Sequence, residues 1–182
     1  MANIEISKQE INRLLKKKHN TDFLINNIEM LGIPVDSIEQ DKMVLEVNPN
    51  RPDFLSQYGI ARALKSFLGI KKGLIEYESK KSDYKVIIDP KLKTIRPFTA
   101  CCVVKNINFD DQKIKDIIQF QEKLHVTLCR NRKKAAIGIY PFEKITTPIF
   151  YKALPKEEIK FQPLESNTEL TAEQILKQHP AG

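Results

Sequence analysis

The chain has no tryptophan, three cysteines, three histidines and six glycines in 182 residues. Each scarcity excludes something. Cys101, Cys102 and Cys129 show no CxxC spacing and have no neighbouring histidine pair, which argues against a disulfide framework and against a metal site. Six glycines and ten prolines among plentiful apolar residues exclude collagen-like and disordered compositions. There is no Walker lysine loop, GxGxxG, HExxH or GxSxG, so no self-sufficient catalytic set is legible and catalytic residues stay unassigned. No apolar run approaches the roughly 18 residues that span a bilayer, and the opening Met-Ala-Asn-Ile-Glu lacks the basic and apolar regions of a secretory leader. The expectation is a cytoplasmic protein with no membrane partner.

What is present is charge. Thirty Lys and Arg against 23 Asp and Glu give +7, yet residues 155–182 hold three Lys against five Glu, so the positive excess lies upstream. A basic chain favours polyanionic partners.

Hydropathic spacing predicts an α+β fold made of two small mixed domains, residues 1–85 and 86–182, with the boundary in the lysine-rich stretch 80–95. A short alternating strand over 3–6 stops at Ser7, which with Glu10 has capping-box spacing for a helix to about Lys18. Thr21 is the expected N-cap of a second helix carrying Leu24, Ile28 and Leu31, stopped at Gly32. Strands are predicted at 35–38 and 43–47. Pro49 and Pro52 impose a rigid connector. Asp53 or Ser56 caps the next helix, with Ile60, Leu64, Phe67 and Leu68 on its buried stripe, and Gly59 implies a close backbone approach. Short strands are expected at 74–77 and 84–88, a strand buried on both faces at 98–104, and a second apolar, buried strand at 135–140. Between these two lies a helix capped by Asp110. Strand-like pieces at 149–153 and around Phe161 precede a helix opened by the Thr171–Gln174 pair.

Three features carry candidate chemistry. Arg130-Asn-Arg-Lys-Lys places Arg130, Arg132, Lys133 and Lys134 within five residues after an amphipathic helix. Cations so clustered suit phosphates, and arginine adds bidentate contacts, although a solvated turn has the same composition. Asn50, Arg51 and Asp53 mix an amide, a guanidinium and a carboxylate in the proline turn; the simpler role is structural, with Asp53 pairing with Arg51. His125 is read as structural rather than as an acid or base, His19 and His179 as loop residues, and Cys101 and Cys102 as small buried apolar side chains.

The proline turn, read as Asn48-Pro-Asn-Arg-Pro-Asp-Phe-Leu-Ser-x-x-Gly-Ile-Ala-Arg-Ala-Leu, resembles the first domain of the phenylalanyl-tRNA synthetase β-chain family. Further matches follow in order: Arg96-Pro-Phe-Thr-Ala, then Ile117-Ile-Gln-Phe-Gln-Glu-Lys-Leu-His-x-Thr-Leu-x-Arg-x-Arg-Lys-Lys-x-Ala-Ile-Gly-Ile, then Tyr151-Lys-Ala and Glu158-Ile-Lys-Phe-x-Pro-Leu. These are similar to the archaeal and eukaryotic type of that chain at the opening of its tRNA-editing module. The resemblance implies an N-terminal piece of the ligase that attaches phenylalanine to tRNA with ATP and magnesium. It implies an α-chain partner in a heterotetramer, tRNA contact, and editing of mischarged tyrosyl-tRNA in an incomplete second module. No cofactor is expected in this part itself. The pattern departs at Tyr140-Pro141, where the family usually has His-Asp, so no catalytic residue is carried over. The four cations of 130–134 are the candidate tRNA contacts. The competing reading is a freestanding, non-catalytic RNA-binding module.

Overall fold

The computed structural model describes residues 2–164 and 166–178; His179 lies outside them. Helices and strands are mixed, as α+β requires, and the chain folds as two compact units.

The first unit comprises Met1–Ser79 and Asn106–Ile139. Strand β1 (Ala2–Ser7) pairs antiparallel with β3 (Lys42–Val47), which also pairs with β2 (Val35–Glu39), giving the order β1-β3-β2. Alternation decides the inner face: Ile4 lies opposite Leu45 and Ile6 opposite Met43, all four fully buried. Helices α1 (Lys8–Leu15), α2 (Thr21–Met30) and α3 (Gln57–Phe67) each contribute an i, i+4 pair to that core: Ile11 and Leu15, Leu24 and Ile28, Ile60 and Leu64. Each such side chain contributes about 1.5–3 kcal/mol by leaving water. Helix α4 (Asp111–Val126) adds Leu124 to the core, with Phe120 packed partly buried against it.

Polar contacts set the position of α4. Gln57, 5% exposed, accepts the Ser7 N–H at 3.2 Å and donates to Asp116 at 2.6 Å, while the Tyr58 hydroxyl donates to the same carboxylate at 3.2 Å. The Gln119 carboxamide accepts the Glu5 N–H at 2.8 Å and donates to the Glu5 carbonyl at 3.1 Å. It therefore satisfies the free edge of β1 as a neighbouring strand would.

The second unit comprises Lys80–Lys105 and Tyr140–Gly182. Strand β4 (Val86–Ile88) runs parallel to β5 (Ile149–Tyr151), and β6 (Lys160–Phe161) pairs antiparallel with β7 (Leu170–Thr171). Asp89 caps a single 3-10 turn, Pro90–Thr94. Helix α5 (Ala172–Gln178) opens with the expected box: Thr171 Oγ1 accepts from the Gln174 N–H and Gln174 Oε1 accepts from the Thr171 N–H. Among the described residues no helix is long and apolar enough to cross a membrane.

The structure corrects several local expectations. Helix α1 ends at Leu15, because Lys16 turns left-handed at φ 58°. The Glu10 carboxylate bonds Arg13 instead of completing the capping box, and Gln57 serves the Ser7 N–H in its place. Asn20, rather than Thr21, caps α2. Phe67 is 45% exposed. Residues 74–77 are not a strand. Residues 98–104 and 135–140 form no ladder, and Phe98 at 91% and Tyr140 at 72% exposure are far from buried; Cys101 and Cys102 are exposed with the first of these runs. A strand needs partner amides, and no other described strand pairs with either segment.

The division into units also differs from a single cut near residue 85. Residues 106–139 group with the first unit because α4 buries Leu124 in the first core and its polar groups engage β1 and α3.

Candidate nucleic-acid interface

Helix α4 is held at its start by Asp110, whose carboxylate accepts from the Lys113 N–H at 2.8 Å. At its other end Thr127 Oγ1 donates to the Lys123 carbonyl at 2.7 Å, and the chain reverses through residues 127–134. Arg130, Asn131 and Arg132 are successively left-handed, with φ of 49°, 53° and 63°, and none is glycine. Backbone bonds fold this turn onto the helix end: Cys129 N–H to the Leu124 carbonyl at 2.9 Å, Arg132 N–H to that of His125 at 3.2 Å, and Lys134 N–H to that of Cys129 at 2.9 Å. Cys129 is buried beneath it.

His125 is the pin of the turn. It is 2% exposed, its Nε2 accepts the Ile137 N–H at 2.8 Å, and its Nδ1 lies 3.3 Å from Glu122 Oε1. That network assigns the proton to Nδ1, which donates to the carboxylate. The same Glu122 oxygen accepts from Arg132 Nη2 at 2.6 Å. Partial burial pushes the Glu122 carboxyl upward, but hydrogen bonds from Arg132 and His125 outweigh it, and the group sits below the usual carboxylate range.

The four cations are therefore not equivalent. Arg130, Lys133 and Lys134 are exposed, and among the described residues no carboxylate forms an ion pair with any of them, whereas Arg132 is paired with Glu122. Sequence reasoning found the cluster but missed Glu122. The available signal was the i, i+3 spacing of Glu122 and His125 on one helix face ahead of the arginines. Of the aromatic residues near the cluster in sequence, Phe120 belongs to the first core and Tyr140 is exposed.

The proline turn lies elsewhere in the first unit. Arg51 grips Asp53 through Nε at 3.0 Å and Nη2 at 2.9 Å, and its guanidinium stacks 3.7 Å above the Phe54 ring. Arg51 holds the Asp53 carboxyl below its ordinary range against the effect of burial. Asn50 is exposed, and Ser56 rather than Asp53 caps α3. The turn borders an apolar hollow of about 570 Å³ with Arg62, Lys65 and Lys71 among its lining residues, cations the motif reading did not single out. The arrangement is that of a braced corner, while the 127–134 turn displays uncompensated positive charge.

No family model matches the chain. It is 41% identical over 182 residues to the phenylalanine–tRNA ligase β subunit of Methanosphaera stadtmanae, covering all of this chain and 33% of that protein. It is 39% identical over 173 residues to the Archaeoglobus fulgidus β subunit, covering 95% of this chain and 31% of that protein. The crystal structure of an N-terminal fragment of the phenylalanyl-tRNA synthetase β subunit from Pyrococcus horikoshii superposes with a TM-score of 0.91 at 37% identity, over 98% of this chain and 53% of that one. The chain thus spans about a third of the length of these curated relatives. Likeness along almost its entire length, in sequence and in tertiary structure, places this chain in the phenylalanine–tRNA ligase β-subunit family, as the counterpart of an N-terminal portion.

Proposed function

We propose that the chain serves as the N-terminal part of a phenylalanine–tRNA ligase β subunit, working in the cytoplasm with an α chain in a heterotetramer that attaches phenylalanine to tRNA using ATP. In this reading the chain supplies assembly structure and the opening part of the editing module. Editing answers a physical need: tyrosine differs from phenylalanine by one hydroxyl, and an apolar pocket rejects such an addition weakly. Among the described residues no group of three or more His, Cys, Asp or Glu is placed to hold a metal ion.

The observation that carries the tRNA contact is the exposed turn bearing Arg130, Lys133 and Lys134 without carboxylate partners among the described residues. Titrating the chain with unmodified tRNA transcripts over a salt series tests it. K133A/K134A is expected to weaken all tRNAs alike and to flatten the salt dependence by about two charges. Unchanged affinity and slope would remove the contact from this turn. Co-expression with an α chain tests assembly: co-purification without RNA supports the subunit reading, and tRNA binding without any α-chain association supports the freestanding module.

A further inference from the structure

Of the four cations in the turn, one is engaged differently. Arg132 Nη2 lies 2.6 Å from Glu122 Oε1, the oxygen that also faces His125 Nδ1 at 3.3 Å. Both Glu122 and His125 originate on α4, so the carboxylate ties the turn back to the helix. The turn needs such a tie. Three consecutive left-handed residues with side chains each carry a backbone conformational cost, and only Asn131 belongs to a type that adopts that region readily. Left to itself, this stretch would relax and scatter its charges.

We propose that Arg132 is a positioning residue rather than a phosphate ligand. With Glu122 and His125 it locks the left-handed turn, so that Arg130, Lys133 and Lys134 are held in advance as a compact site for the phosphodiester backbone of structured RNA. The proposal rests on the reading that this turn meets tRNA, and it changes what each side chain is for. A preorganised site loses less conformational entropy on binding than a slack basic loop. A carboxylate beside a phosphate site is otherwise unfavourable, and the brace gives Glu122 a reason to be there.

The two roles predict opposite signs. If Arg132 were a phosphate ligand restrained by Glu122, E122Q would release it and remove a repelling charge, so binding would tighten and its salt slope would steepen by about one charge. If Glu122 is the brace, E122Q weakens binding several-fold with the slope unchanged. R132A likewise lowers affinity with little change in slope, whereas K133A lowers both, the slope by about one charge. The measurement is equilibrium binding of an unmodified tRNA transcript to the intact chain from low to moderate salt, with thermal unfolding of each variant as a control for the fold. Backbone amide exchange at Arg132 and Lys134 supplies a readout independent of RNA, and both amides should exchange faster in E122Q. Tighter binding by E122Q, a slope loss in R132A equal to that in K133A, or unaltered amide exchange would each overturn the brace. Faster exchange in E122Q together with no effect of K133A on tRNA binding would instead retain the brace and sink the tRNA contact.

Discussion

At the residue scale, the proline turn shows how one missing side chain decides a local structure. A Cβ added to Gly59 would lie 1.8 Å from the Asp53 carbonyl oxygen, a backbone atom that is not free to swing away. Alanine gains up to about 1 kcal/mol over glycine in a helix interior, but the clash forces either the turn or α3 to move and outweighs that gain. Gly59→Ala is expected to lower stability by about 3 kcal/mol, read as an earlier midpoint in urea; a neutral or stabilising effect would show that the turn yields freely. The requirement was legible in sequence, because a glycine in the first turns of a well-patterned helix asks for a close approach. Tyr58 was not legible, since its partner Asp116 is 58 residues away. Burial, the Asp116 charge and their hydrogen bond push the Tyr58 phenol up from 10.0 to about 12. The folded chain favours the protonated phenol, so this contribution is complete below pH 10 and is lost as pH rises towards 12. Tyr58→Phe should therefore show a flatter stability profile than the native chain within that window, measured by urea unfolding at fixed pH; identical slopes would contradict the assignment.

At the element scale, existence was easier to read than pairing. The capping signals at Ser7, Asp110 and Thr171 and the apolar spacing of α2 and α3 are each contained within a dozen residues, so local chemistry announced them. The apolar runs 98–104 and 135–140 looked equally strong, but a strand depends on a partner distant in sequence, and neither run forms a ladder with a described strand. The same logic explains why Gln119 escaped notice. Its spacing on α4 says nothing of the β1 edge, 114 residues earlier, that its carboxamide completes. Gln119→Ala should leave the Glu5 amide to water at a cost of about 1 kcal/mol. Hydrogen exchange at that single amide should accelerate while α1 amides keep their protection, and uniform acceleration across both elements would mean the clasp is not local.

At the scale of the whole molecule, the cationic cluster and the core turn out to share an element. Helix α4 carries the braced turn at its C-terminal end, and one residue before His125 it contributes Leu124, 8% exposed, to the cluster containing Ile11, Leu24 and Ile60. Composition suggested one cut near residue 85, because the lysine-rich stretch reads as a linker; the compact unit instead takes residues 106–139 back to the N-terminal sheet. Chain order alone hides such a return, since burial is settled by which apolar face finds another. Leu124→Ala separates the two organisations. If α4 belonged to an independent second domain, the loss would stay within 111–126. Because it completes the first core, truncation should remove about 2–3 kcal/mol from the cooperative unfolding of that unit and lower exchange protection in α1, α3 and β3 together. It should also soften the seat of the 127–134 turn, so tRNA affinity falls together with stability, unlike in K133A, where affinity falls alone. Exchange protection that stays intact in α1 and β3 while α4 frays would show that the helix merely rests on the sheet.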